Sequence, residues 1–114
     1  MSTPTVLVSN QTNTLVDTPE KFYTDDGNAN GTRIDAFNAA NPDTINGVTA
    51  SYKAYIVDAG GNPVNPQKPF QFVVWGEIDL GLGLVNQLIP SGGSLQMESS
   101  ATGRIYFTVS GTKV

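Results

Sequence analysis

The chain has 114 residues, a net charge of −4 and 14% charged residues, against roughly 25% in an average soluble domain. It contains neither cysteine nor histidine, which excludes disulfides, thiolate and imidazole metal sites, and Ser-His-Asp or Cys-His nucleophilic catalysis. Its six Lys and Arg residues are scattered rather than gathered into a stripe, so no nucleic-acid partner is expected.

The length suits a single domain spanning residues 1–114. Twelve glycines and seven prolines separate short runs of β-branched and aromatic residues, the pattern of an all-β sandwich or barrel. The first predicted strand is Thr5 to Val8, an apolar stretch within an expected N-terminal arm over residues 1–10. A weaker strand is predicted over Thr14-Leu15-Val16, and Pro19 opens an extended stretch through Phe22 and Tyr23. The loop Asp25-Asp26-Gly27-Asn28-Ala29-Asn30-Gly31 is too polar and turn-prone for a strand. Residues Thr32 to Ala39 alternate again, and the spacing of three between Ile34 and Phe37, both assigned to the core, predicts a bulge.

Asn41-Pro42-Asp43 turns the chain into the clearest strand, Val48 to Val57. Period two places Val48, Ala50, Tyr52, Ala54 and Ile56 on the core face. Asp58 to Pro63 is a turn, and the prolines at 63, 66 and 69 make residues 65–69 an extended connection. Phe70 to Trp75 follows as a strand apolar on both faces, which requires cover on both sides. Leu84, Val85, Leu88 and Ile89 are spaced for one short turn of helix, although Gly81 and Gly83 argue against a long one. A tight turn at Pro90 to Gly93 leads to a strand over Ser94 to Glu98 and a polar loop over Ser99 to Gly103. The last strand is Arg104 to Ser110, with Ile105, Phe107 and Val109 inward. Six to nine short strands without helix–strand alternation make an antiparallel β-sandwich or jelly roll.

Few residue constellations point to chemistry. Asp26-x-Asn28-x-Asn30-Gly31 matches the first half of a calcium loop, but Phe37 stands where the bidentate Glu belongs, so a solvated turn-rich loop is expected and no metal is assigned. Glu77 and Asp79 form an acidic pair beside Trp75. Residues two apart on one strand lie about 6–7 Å apart, and glycosidases draw their carboxylates from separate elements, so surface carboxylates are the better account. Gly81-Leu82-Gly83 lacks the third glycine of a dinucleotide fingerprint. Asn10-Gln11-Thr12 and Asn30-Gly31-Thr32 match a glycosylation sequon, but the first ten residues have neither the basic region nor the apolar run of an export signal. No apolar run approaches the ~20 residues of a membrane span. These readings predict no enzyme, no cofactor, no membrane partner and synthesis in a cytoplasm.

The order of Val6-Leu7-Val8-Ser9-Asn10, Thr32-Arg33-Ile34-Asp35-Ala36-Phe37, Tyr55-Ile56-Val57-Asp58-Ala59-Gly60-Gly61, Leu88-Ile89-Pro90-Ser91-Gly92-Gly93-Ser94-Leu95 and Phe107-Thr108-Val109-Ser110-Gly111 resembles that of small virion structural proteins of tailed bacteriophages. The departures are the long Asp25–Gly31 loop and the aromatic stretch from Gln67 to Trp75. The resemblance implies a β-sandwich that forms homo-oligomers and attaches within the virion to the major capsid protein or another virion protein. A capsid decoration or cement role is expected. The alternatives are a tail or tail-fibre adaptor and a carbohydrate-binding module using Trp75 or Tyr55. The interface residues expected from this reading are Val6, Leu7 and Val8 on the N-terminal arm and Phe70, Phe72, Val73 and Trp75 on the two-faced strand.

Overall fold

A computed structural model describes residues 4–42, 49–64, 70–75, 78–81 and 83–114, with backbone alone for 70–75. Nine strands occur among these residues: β1 (Pro4–Thr12), β2 (Glu20–Thr24), β3 (Thr32–Ala40), β4 (Thr49–Val57), β5 (Phe70–Trp75), β6 (Ile78–Asp79), β7 (Leu88–Ile89), β8 (Ser94–Ser99) and β9 (Tyr106–Lys113). The first sheet has the order β1-β9-β3-β6, with β7 also on β3, and the second has the order β2-β8-β4-β5. All pairings are antiparallel.

β6 pairs with one end of β3, through Ala39–Asp79 and Ala40–Ile78, and β7 with the other, through Thr32–Ile89 and Arg33–Leu88. Together they act as one interrupted edge strand. Counted so, the fold has four strands per sheet, and the chain crosses between sheets at every connection except β4 to β5. That connectivity is a jelly roll. At the two open sides β1 lies against β2 and β5 against β6.

The core follows from period-two patterning. Ala50, Tyr52, Ala54 and Ile56 on β4 face Leu95 and Met97 on β8, and all six are buried with Ile105, Phe107 and Val109. On β3 both Ile34 and Phe37 are buried, and the register shifts between Ile34 and Ala36. Asp35 is the extra residue, which explains the spacing of three. Phe107 centres an aromatic cluster, edge-on to Phe22 at 5.2 Å and to Tyr52 at 5.4 Å. Phe37 stacks on Tyr52 at 5.7 Å. Such pairs contribute about 0.5–1.5 kcal/mol each beyond area burial. The buried Tyr52 hydroxyl donates to Asp79 Oδ2 at 2.6 Å, so the core phenol keeps a partner.

Two expectations are corrected. Residues 4–10 are not a separate arm: they belong to β1, which pairs with β9 from Pro4–Thr112 to Thr12–Tyr106. Residues 14–16 form no strand. The Glu20 carboxylate there gathers Asn13 Nδ2, the Thr14 amide and hydroxyl and the Leu15 amide, and such local side-chain bonds compete with a ladder. Before Ile89, where at most one short helical turn is expected, the chain makes a single tight turn closed on Gly81 O by the Leu84 amide at 2.8 Å and the Val85 amide at 3.4 Å. β3 then reclaims the chain, because Ile34 N donates to Gln87 O and Asn86 N to Ile34 O. Leu88 lies exposed on β7. Val48, Glu77, Leu82 and the connection 65–69 lie outside the described residues.

Candidate partner-binding surface

Antiparallel residues directly opposite one another share a sheet face, so the registers of the first sheet define transverse rows. One row runs Pro4, Thr112, Arg33, Leu88. The next runs Val6, Ser110, Ala36, followed by Thr108 with Asn38. The last runs Thr12, Tyr106, Ala40, Ile78. Val8, Phe37 and Val109 on the same strands are buried, so these rows form the outer face. Val6 is 62% exposed, Ile78 58% and Leu88 49%.

Among the described residues, one ion pair lies on this face. Arg33 Nε donates to Asp35 Oδ1 at 2.7 Å, and the Thr112 hydroxyl donates to Asp35 Oδ2. The Thr112 hydrogen bond, then that from Arg33, holds the Asp35 carboxyl below its ordinary range. Every other row residue is uncharged. A partner landing here would desolvate no isolated charge, the costliest event in forming an interface. At about 4.8 Å between strands and about 3.3 Å per residue, the strands of this sheet project roughly 480 Å² of face. Corrugated by side chains, that approaches the ~800 Å² per partner of a stable interface.

The outer face of the second sheet has a different chemistry. Lys21, Gln96 and Tyr55 share one row, and Glu98 and Lys53 the next. The Tyr55 hydroxyl donates to Glu98 Oε1. Burial, then this carboxylate, pushes the Tyr55 phenol up to about 12.

Of the expected interface residues, Val6 sits on the uncharged face. Leu7 is the bulged residue of β1, where the register shifts between Val6 and Val8, and it packs partly against the core. Val8 is 1% exposed and is core, a correction that follows from the same bulge. Phe70, Phe72, Val73 and Trp75 lie on β5, the edge strand beside β4, with backbone partners Ala54, Tyr52, Ser51 and Thr49; their side chains are outside the described set. Sequence reasoning missed Leu88, Ile78, Tyr106 and Ala36 on the face. Only Ala36 had a local signal, its position between two core residues flanking a bulge.

The other candidate groups serve the fold. Asp79 accepts the Tyr52 hydroxyl and the Gly81 amide. In the 25–31 loop the hub is Asp25, just ahead of the calcium-like pattern. It is 3% exposed and accepts from the Gly27, Asn28 and Gly92 amides, Asn28 Nδ2 and the Thr32 hydroxyl. Burial alone would raise its carboxyl; the hydrogen bonds from Thr32, Gly92, Asn28 and Gly27 outweigh it and hold it far below the usual range. Asp26 pairs with Lys113 at 2.9 Å. Among the described residues no three His, Cys, Asp or Glu gather to hold a metal, and no helix is long and apolar enough to cross a membrane.

Comparison with protein-family models, curated proteins and solved structures returned no match.

Proposed function

We propose that this chain is a non-enzymatic structural protein of a bacteriophage virion, a capsid decoration protein that docks through the outer face of its first sheet. The observation that carries the reading is that face: broad, rigid, bearing one internally neutralised ion pair and three exposed large aliphatic residues. The order of strand and turn segments, similar to small tailed-phage virion proteins, supports the virion setting. A jelly roll is a rigid frame, so the face is presented without an ordering cost on binding. One contact of this size gives modest affinity. A homo-oligomer that engages several sites on a shell gains avidity through effective concentration, which is what bridging capsid subunits requires.

The test is co-sedimentation of the purified chain with undecorated capsids, alongside light scattering for its oligomeric state. Wild-type protein is expected to pellet with the shells. Val6→Asp and Leu88→Asp, each placing an unpaired charge on the face, should lose binding with unchanged melting temperature. Binding that survives both substitutions, or a wild-type monomer that ignores the shells, would refute the proposal. Retention by purified tails but not shells would replace decoration with a tail role.

A further inference from the structure

We infer that the opposite face of the molecule holds a subsite for one neutral saccharide unit, in a hollow walled by Asp17, Ser51, Lys53, Glu98 and Ser100. The hollow measures about 160 Å³ and lies where the β1–β2 loop and the end of β8 meet the outer face of β4.

Its walls are fixed before any ligand arrives. Asp17, with a positive φ of 50°, donates its amide to Ser99 O at 2.8 Å. Ser100 and Ser51 are stitched together by Ser100 N to Ser51 O and Ser51 N to Ser100 Oγ, each 2.9 Å. The loop carrying Asp17 is anchored by the four hydrogen bonds to Glu20, and Glu98 is held by Tyr55. A preorganised polar site binds better than one that must be ordered.

Two charged groups in the walls of the hollow, Asp17 and Lys53, are uncommitted, while Glu98 and Ser100 each keep one hydrogen bond within the protein. Among the described residues neither the Asp17 carboxylate nor the Lys53 ammonium has a hydrogen-bond or ion-pair partner. Donors and acceptors therefore interleave: carboxylate oxygens from Asp17 and Glu98, an ammonium from Lys53, and hydroxyls from Ser51 and Ser100. An anion meets two carboxylates and a cation meets Lys53. An apolar ligand would strand every one of these groups. A sugar hydroxyl both donates and accepts, so a ring with several of them satisfies the mixture. At about 160 Å³ the hollow is well short of the ~300–1,000 Å³ of a drug-sized pocket, which limits it to one small polar unit.

The site is on the second sheet and the proposed capsid-docking face on the first, so the two readings stand or fall separately. The test is an amide NMR titration of the full chain with methyl glycosides of glucose, galactose, mannose and N-acetylglucosamine, with glycine and inorganic phosphate as zwitterion and anion controls. At about 100 mM a site with a dissociation constant near 10 mM is roughly nine-tenths filled. Saturable shifts confined to residues 17, 51–53 and 98–100 are expected for at least one glycoside. Asp17→Ala and Lys53→Ala should each weaken them roughly tenfold without lowering the melting temperature, and Val6→Asp should leave them intact. Beads bearing the same sugar as a polysaccharide distinguish a surface glycan, retained through many repeats, from a free sugar. No saturable shift from any glycoside, shifts at another surface, or saturation by glycine or phosphate alone would overturn the assignment.

Discussion

Removing the carboxylate of Asp25 should cost more stability than any other single polar change in the described fold. Asp25 Oδ2 accepts the Gly27, Asn28 and Gly92 amides at 3.0, 3.1 and 2.9 Å. Its Oδ1 accepts Asn28 Nδ2 at 2.8 Å and the Thr32 hydroxyl at 2.6 Å. In Asp25→Ala the Gly27 and Asn28 donors can turn to water at the surface. The Gly92 amide and the fully buried Thr32 lose a charged acceptor worth about 1.5–3 kcal/mol each. Thr32 retains the Tyr23 hydroxyl at 2.8 Å, so about 3 kcal/mol is expected. At about 4 °C per kcal/mol for a domain of this size, the melting temperature should fall by about 12 °C. Asp25→Asn keeps one oxygen and should lose about half as much.

The acid dependence follows from the depressed folded-state pKa. The unfolded carboxyl takes up its proton near pH 4, while the folded one resists it. This contribution is therefore complete above about pH 5 and is lost progressively as pH falls toward the folded value. Urea denaturation of wild type and Asp25→Ala followed by circular dichroism, at pH 7 and at pH 3, measures both quantities. The gap between them should narrow at pH 3. A gap under about 0.5 kcal/mol at pH 7, the scatter of ordinary surface substitutions, would refute the account of the hub.

Gly31→Ala should destabilise by about 2 kcal/mol or more, because φ is +81° and an added Cβ would lie 2.0 Å from Ile89 O, a backbone atom that cannot step aside; thermal melts measure it. Glu20→Ala should cost about 1 kcal/mol, the scale of a lost cap, and speed amide exchange at Thr14 and Leu15 selectively. Hydrogen bonds, the Thr14 hydroxyl's first, hold the Glu20 carboxyl down at about 2. This contribution is therefore complete above about pH 5, and the loop's protection should fall progressively as pH drops from there toward 2. Spectrophotometric titration should find one phenol, Tyr55, ionising near 12, with Glu98→Gln lowering it. Since that folded-state value is raised, the Tyr55 contribution is full below pH 10 and is lost as pH rises toward 12.

Much of the architecture was legible before any coordinates, because period two and turn chemistry are local. The β4 face of Ala50, Tyr52, Ala54 and Ile56, the inward trio Ile105, Phe107 and Val109, and the bulge between Ile34 and Phe37 needed only residue order. The misreadings share one cause, a local pattern overruled by a distant partner. Residues 14–16 look like a strand until Glu20 claims their donors, and the helical spacing of residues 84–89 stops at one turn where β3 claims the backbone of 86–89. Val8 looks like an arm residue until β9 and the bulge at Leu7 turn it inward.

The candidate surface was less legible than the core for the same reason. Composition alone established a low-charge chain without thiols or imidazoles, and with it which chemistries are unattainable. Whether low charge spreads evenly or concentrates on one face depends on which strands lie side by side, and a single strand does not encode its neighbours. The topology β1-β9-β3-β6 aligns Val6, Leu88 and Ile78, residues up to 82 positions apart, on one nearly uncharged face. The order β2-β8-β4-β5 puts Lys53 and Glu98 together beside Asp17 on the other.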